Sequence, residues 1–198
     1  MQPVAVRILH PSDGADRVSF GPLERRLLEL RHTNAERLAA LFRGEGVDDV
    51  VIVTGPPAES FSARVRALAG DVADAGLVLL GSGAVPLATP VDLRLLIDVA
   101  ASGRALALAN NRFSADVVAV GRVAPLRSVP DLPGDNALPR WLEEVAGFEV
   151  RDLRDRWWLA MDLDSPLDGL LLGDLSPELG AGREIGAELE AARAALDG

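Results

Sequence analysis

The chain has 198 residues, with 30 Asp and Glu against 20 basic side chains, for a formal net charge of −10. A field of that sign repels phosphate backbones, so nucleic acid is not expected as a partner. The absence of Cys excludes disulfides, thiolate metal sites and cysteine nucleophiles.

Residues 4–9 (VAVRIL) read as a first strand, followed by a polar loop over 10–21. Residues 22–42 carry Leu23, Leu27, Leu30, Leu38 and Leu41 at helical spacing, and Asn34 is a candidate start for a second helix within them. The β-branched run at 47–53 predicts a buried parallel strand, and a helix is expected over 58–69. Residues 77–80 form the next strand and lead into the small-residue turn Gly81-Ser82-Gly83-Ala84-Val85. Thr89-Pro90-Val91-Asp92 joins an N-cap residue, a first-turn proline and an acid at the third helical position, which predicts a helix to about Ala101. Strands are expected at 106–109 and 117–120, the latter a candidate antiparallel strand. After a Pro-rich stretch at 123–133 come a helix over 136–146 stopped by Gly147 and strands at 148–153 and 158–163. Ser165-Pro166-Leu167-Asp168 repeats the helix-start signature, and 184–196 reads as an acidic amphipathic helix.

This alternation predicts an α/β domain with a mostly parallel mixed sheet and helices on both faces. One domain is expected over 1–198, with 174–198 a C-terminal helical appendage. The N-terminal residues are too short and polar for a signal peptide, and every apolar run is cut by Gly, Pro or Asp before it reaches membrane-spanning length. A cytoplasmic protein without a membrane partner is therefore expected. The acidic tail and Trp157-Trp158 would suit a homodimer face, and a tail packed on its own domain explains them equally well.

In open α/β sheets ligands bind beyond the carboxyl ends of the strands. That places candidate chemistry at 10–17, 54–57, 81–85, 110–116 and 162–165. Ser82 and Gly83 stand in a turn where backbone could approach a ligand closely, the other reading being an ordinary strand-to-helix turn. Asn110, Asn111, Arg112 and Ser114 offer amides, a guanidinium and a hydroxyl suited to phosphate or sugar, though hydrophilic loops often hold no ligand. Asp162 and Asp164 flank one residue, so on an extended chain both carboxylates face one way and could share a hard cation such as Mg²⁺. Helix capping by Asp164 or Ser165 is the plainer reading.

No dinucleotide fingerprint, Walker lysine or G-x-S-x-G elbow is present, and His10 and His32 have no metal-ligand spacing. Every basic residue is Arg. Schiff-base chemistry is thereby excluded, and phosphate must be held by Arg, backbone N–H groups or metal.

Two segments together are similar to a known family. Residues 81–93 (GSGAVPLATPVDL) resemble the G-D-x-P-L-x-T-P-x-x-L stretch of the nucleotidyltransferase-like superfamily, and 162–170 (DLDSPLDGL) resemble its D-[IL]-[DN]-T-P-E-D-L ending. The pattern is nearest to the 2-phospholactate guanylyltransferase group, with the molybdenum-cofactor nucleotidyltransferases more distant. The resemblance spans about 47–172. It implies a nucleotidyltransferase-like three-layer sandwich with a mononucleotide over the sheet and a divalent metal on acids. It also implies transfer of a nucleoside monophosphate from a triphosphate to a phosphorylated acceptor, with release of pyrophosphate. Asp162 and Asp164 take the metal positions, and Arg17 is the remnant of the phosphate-binding arginine. The chain departs from the family pattern at Ala84, which stands where that pattern has a metal-binding Asp, and in lacking both Lys and the N-terminal Gly-rich signature.

Three functions are compatible with these residues. One is an active nucleotidyltransferase using Asp162 and Asp164 for Mg²⁺ and Arg17 and Arg112 for phosphates. Another is a degenerate relative that binds a nucleotide or a protein partner without turnover. The third is a glycosyltransferase, whose metal-binding D-x-D the triplet Asp162-Leu163-Asp164 resembles.

Overall fold

The computed structural model describes residues 2–11, 21–55 and 60–173. In chain order the elements are β1 (Val4–Pro11), α1 (Pro22–Gly44), β2 (Asp49–Gly55), α2 (Phe61–Asp71), β3 (Gly76–Gly81), α3 (Pro90–Ala100), β4 (Leu106–Ala109), β5 (Val117–Val120), α4 (Leu138–Glu144), β6 (Glu149–Asp152) and α5 (Pro166–Gly173). Short 3-10 turns occupy Ala124–Ser128, Asp135–Ala137 and Trp157–Ala160.

Among the described residues six strands form one mixed sheet in the order β2-β1-β3-β5-β4-β6. β1 pairs in parallel with β2 and β3, and β4 in parallel with β6. β5 runs antiparallel between β3 and β4. The short β4–β5 connection leaves no room for a crossover helix, so the chain reverses and the two strands pair antiparallel.

Strand alternation sorts side chains between two cores. Val6, Ile8, Val78 and Leu80 face α1 and α3, where Leu38, Phe42, Leu93 and Leu96 are buried. Ala5, Leu77 and Leu79 face the other layer, with Val65 and Leu68 of α2 and Leu142 of α4. Helices therefore cover both faces, as the alternation predicts. Gly76 lets β3 begin hard against the end of α3, since a Cβ there would lie 1.9 Å from the Ala100 carbonyl oxygen.

Three expected elements differ. Asn34 starts no second helix, because α1 is continuous through it and the residue is fully buried. Its amide nitrogen donates to the carbonyls of Ser82 and Ala84, both at 2.9 Å, a tertiary use that replaces capping. The strand expected at 158–163 is instead the 3-10 turn Trp157–Ala160 followed by one isolated antiparallel bridge between Ala84 and Asp162. Side chains rather than a ladder hold this segment. Trp158 Nε1 donates to Asp92, and the Leu159 carbonyl accepts from Asn110. The helix expected over 136–146 is reduced to a 3-10 turn and the short α4. Residues 174–198, with the appendage and the 184–196 helix, lie outside the described residues. No helix among the described residues is long and apolar enough to cross a membrane.

Candidate functional site

The carboxyl edge of β1 and β3 opens into a cleft of about 200 Å³. Its lining includes Pro11, Arg31, Ser82, Gly83, Ala84 and four acids, Asp116, Asp135, Asp162 and Asp164. The turn after β3 and the segment before α5 meet here. Besides the Ala84–Asp162 bridge, the Leu163 N–H donates to the Gly83 carbonyl at 3.0 Å. Gly83 suits this approach, since a Cβ there would come within 3.0 Å of the Leu163 carbonyl oxygen and 3.2 Å of Arg31 Nε, tighter than ordinary contact. Val85, β-branched, sits at a positive φ of 42° in the same turn, a strained conformation for such a residue. Arg37 from α1 braces the turn by donating to the carbonyls of Val85, Pro86 and Ala88.

Arg31 reaches the other side of the cleft. It donates through Nε to the Leu163 carbonyl and through Nη2 to Asp164 at 2.7 Å. The helix start at Ser165 is closed by its own acid, because Asp168 accepts from the backbone N–H and hydroxyl of Ser165. Capping of α5 therefore falls to Ser165 and Asp168, and Asp164 pairs with Arg31 instead.

The electrostatics follow from four carboxylates around one cleft. Burial pushes the Asp162 carboxyl up to about 6, and the neighbouring charges of Asp164 and Asp116 add to the effect. Burial also raises Asp116, against the hydrogen bond from Asn110 and with help from Asp135 and Asp164. Concentrated negative charge of this kind is relieved by a cation. Among the described residues, however, no three His, Asp or Glu groups stand close enough to cage a metal ion. Where the resemblance expects a further acid, Ala84 is buried and offers none. The donor set suits a hard cation that takes one or two carboxylates and completes its shell from water and phosphate oxygens, the habit of Mg²⁺.

The sequence candidates separate in space. Ser82, Gly83, Asp162 and Asp164 line the cleft. The Asn110 amide is committed to its own loop, donating to Asp116 and the Leu159 carbonyl and accepting from the N–H groups of Asp116 and Val117. Asn111 closes a local turn by accepting from the Phe113 N–H at 2.9 Å. Arg112 pairs with Glu143 of α4, and Ser114 is exposed. None of these four lines the cleft. Arg17 lies outside the described residues.

Sequence reasoning did not single out Arg31, Asp116 or Asp135. Asp116 falls in a segment marked by its place after a strand. Arg31 and Asp135 give no linear signal, since one sits on a polar helix face and the other follows a Pro-rich stretch.

A hub outside the cleft positions it. Asp92, fully buried at the start of α3, completes a capping box with Thr89 and also accepts from Arg156 and from Trp158 Nε1 at 3.1 Å. It ties α3 to the chain that leads into Asp162.

No family model and no curated protein matches the chain. Among solved structures it is similar to a chain ascribed to nucleotide-diphospho-sugar transferases from Desulfovibrio desulfuricans G20, with a TM-score of 0.63 and 13% identity, over 94% of this chain and 96% of that one. It is also similar to a cytidylyltransferase from Leptospira borgpetersenii serovar Hardjo-bovis, with a TM-score of 0.52 and 15% identity, over 98% and 96% of the two chains. At such identities the likeness is one of fold, and the chain has the nucleotidyltransferase-like α/β fold.

Proposed function

We propose that this protein binds a nucleoside triphosphate with Mg²⁺ in the cleft beyond β1 and β3 and transfers the nucleoside monophosphate to a small phosphorylated acceptor. A 2-phospholactate guanylyltransferase-like reaction is the nearest pattern. The observation that carries this reading is the convergence of Asp162, Asp164 and Asp116 on one cleft, with the Asp162 carboxyl raised to about 6 by burial and by its neighbours' charge.

In this reading an acceptor phosphate oxygen attacks the α-phosphorus, the bond to the bridging oxygen breaks and pyrophosphate leaves. Asp162 and Asp164 would hold Mg²⁺, which supplies charge neutralisation for the phosphates. Arg31 fixes the Leu163–Asp164 backbone and sets the direction of the Asp164 carboxylate. The Gly81–Ala84 turn forms the floor, held by Asn34 and by the bridge to Asp162. Positioning and electrostatics carry most of the barrier reduction in such transfers, so few side chains need react.

Thermal unfolding against nucleoside triphosphates, monophosphates and nucleotide-sugars, with and without Mg²⁺, tests this. A Mg²⁺-dependent rise with one triphosphate is expected, because ligand bound only to the native state stabilises it by mass action. The rise should disappear in Asp162→Asn and Asp164→Asn, and pyrophosphate should be released once the acceptor is supplied. No shift with any compound would overturn the reading.

Ala84 favours a second reading, a relative that binds nucleotide without turnover. Binding without pyrophosphate release would select it. A shift confined to nucleotide-sugars would select a sugar-transferring relative, for which Asp162-Leu163-Asp164 is the candidate motif.

A further inference from the structure

A second cavity, of about 340 Å³, adjoins the acidic cleft and shares Leu9, Gly81, Asp116 and Asp135 with it. That volume lies within the range of roughly 300–1,000 Å³ that holds small ligands. Its other walls are largely apolar, with Phe61 from α2, Leu79 from β3, Val118 from β5 and Leu138 from α4. Among the described residues that line it, Arg64 is the only basic one.

Arg64 stands apart from the arginines that form ion pairs around the sheet. Arg31, Arg66, Arg94, Arg112 and Arg156 each pair with a carboxylate. Arg64 pairs with no carboxylate among the described residues, and its Nη2 is enclosed without a hydrogen-bond partner. Asp116 and Asp135 line the same cavity, yet neither accepts from it, and Asp116 is already engaged by Asn110. An enclosed guanidinium N–H without an acceptor is costly, and a native protein satisfies such a group with a water, an ion or a ligand.

A second feature points the same way. Phe61 and Arg64 belong to the first turns of α2, so the cavity lies at the positive end of that helix. Ser60 caps the helix by accepting from the Ala63 N–H at 3.2 Å, and among the described residues no acid occupies the first turn. The planar guanidinium matches a carboxylate or a phosphate in two-point contact. The apolar walls accept the hydrocarbon part of the molecule that carries it.

We infer that this cavity is an anion subsite, distinct from the acidic cleft, in which Arg64 takes the carboxylate or phosphate of a small organic ligand without a metal ion. The inference goes beyond the nucleotide reading and stands apart from it, because the anion is held by a guanidinium rather than by the cleft acids.

Calorimetric titration of the full chain in EDTA at constant ionic strength, with inorganic phosphate and separately with malonate, tests it. Binding of at least one anion is expected, phosphate alone assigning a phosphate ligand and malonate alone a carboxylate. Arg64→Gln should weaken binding at least about tenfold, the factor a lost charge-assisted hydrogen bond carries. Asp162→Asn, in the neighbouring cleft, should not weaken binding, since it removes a negative charge near the anion and leaves the guanidinium in place. Thermal unfolding of the free variants confirms that they fold. If Arg64→Gln does not fold, Arg64→Lys, which keeps the charge and loses the fork, is read in its place and should still weaken binding. The inference is overturned if wild type binds neither anion, if the Arg64 variant binds as wild type does, or if Asp162→Asn removes binding as well. Metal and nucleotide are absent throughout, so failure of the nucleotide reading leaves this result interpretable.

Discussion

Asp162 shows how burial and neighbouring charge can set one side chain against stability. Its carboxyl is raised to about 6, from an ordinary 3.8, first by burial and then by the charges of Asp164 and Asp116. A raised carboxyl favours the native state only while it is protonated. Its contribution is complete below pH 3.8 and is lost as pH rises through about 6. Above that range the ionised group opposes folding. Asp162→Asn should therefore raise the unfolding midpoint of the ligand-free protein at pH 7.5, with the gain shrinking towards pH 4, and under the proposed function it should also remove the Mg²⁺-dependent nucleotide shift. Melting curves across that pH range decide the matter, and an Asn variant less stable than wild type at pH 7.5 would contradict it.

At the scale of elements, the cleft depends on contacts between segments that no ladder joins. Asp92 links the capped start of α3 to Arg156 and Trp158, and through them to the chain that enters the cleft. Burial pushes its carboxyl up, but hydrogen bonds from Thr89, Arg156 and Trp158 outweigh that and hold it below the ordinary 3.8. The sign is the reverse of that at Asp162. The ionised form is favoured by folding, so the contribution is full above pH 3.8 and is lost as pH falls through the lower native value. Asp92→Asn leaves Arg156 without its charged partner and should cost roughly 3 kcal/mol at pH 7. The difference from wild type should close as the solution is acidified below pH 3.8, which circular dichroism melts at stepped pH would reveal.

At the scale of the whole molecule, the net charge of −10 means that like charges repel across a small body. Near neutral pH, salt should screen this repulsion and raise the unfolding midpoint as ionic strength increases from about 0.01 to 0.15 M, over which the Debye length falls from about 30 to 8 Å. Near the isoelectric point of about 4.7 the same addition should have little effect. Equal salt sensitivity at both pH values would show that local pairs, rather than net charge, govern the response. Four of the chain's carboxylates line one cleft, and Arg64 lines the adjoining cavity.

The sequence by itself determined the layers. Periodicity of two and of 3.6, Gly and Pro punctuation and two Pro-containing helix starts are local signals, so the strands and helices through β5 and the caps at Thr89 and Ser165 could be read in order. It also marked Asp162 and Asp164, because an acid at every second position of an extended chain puts both on one side. Only the tertiary structure decided which distant residues meet them. Arg31, Asp116 and Asp135 approach the cleft from separate elements, and their convergence depends on strand order, which pairs β3 with β5 rather than with its sequence neighbour β4. The same holds for Asn34, which resembles a helix cap in sequence and becomes a buried brace between α1 and the turn after β3. The segment at 158–163, strand-like by composition, is held by Asp92 and Asn110 instead of a ladder. Local propensity fixes what a segment can form, whereas the partners of its polar groups are set by long-range packing, which no short window of sequence contains.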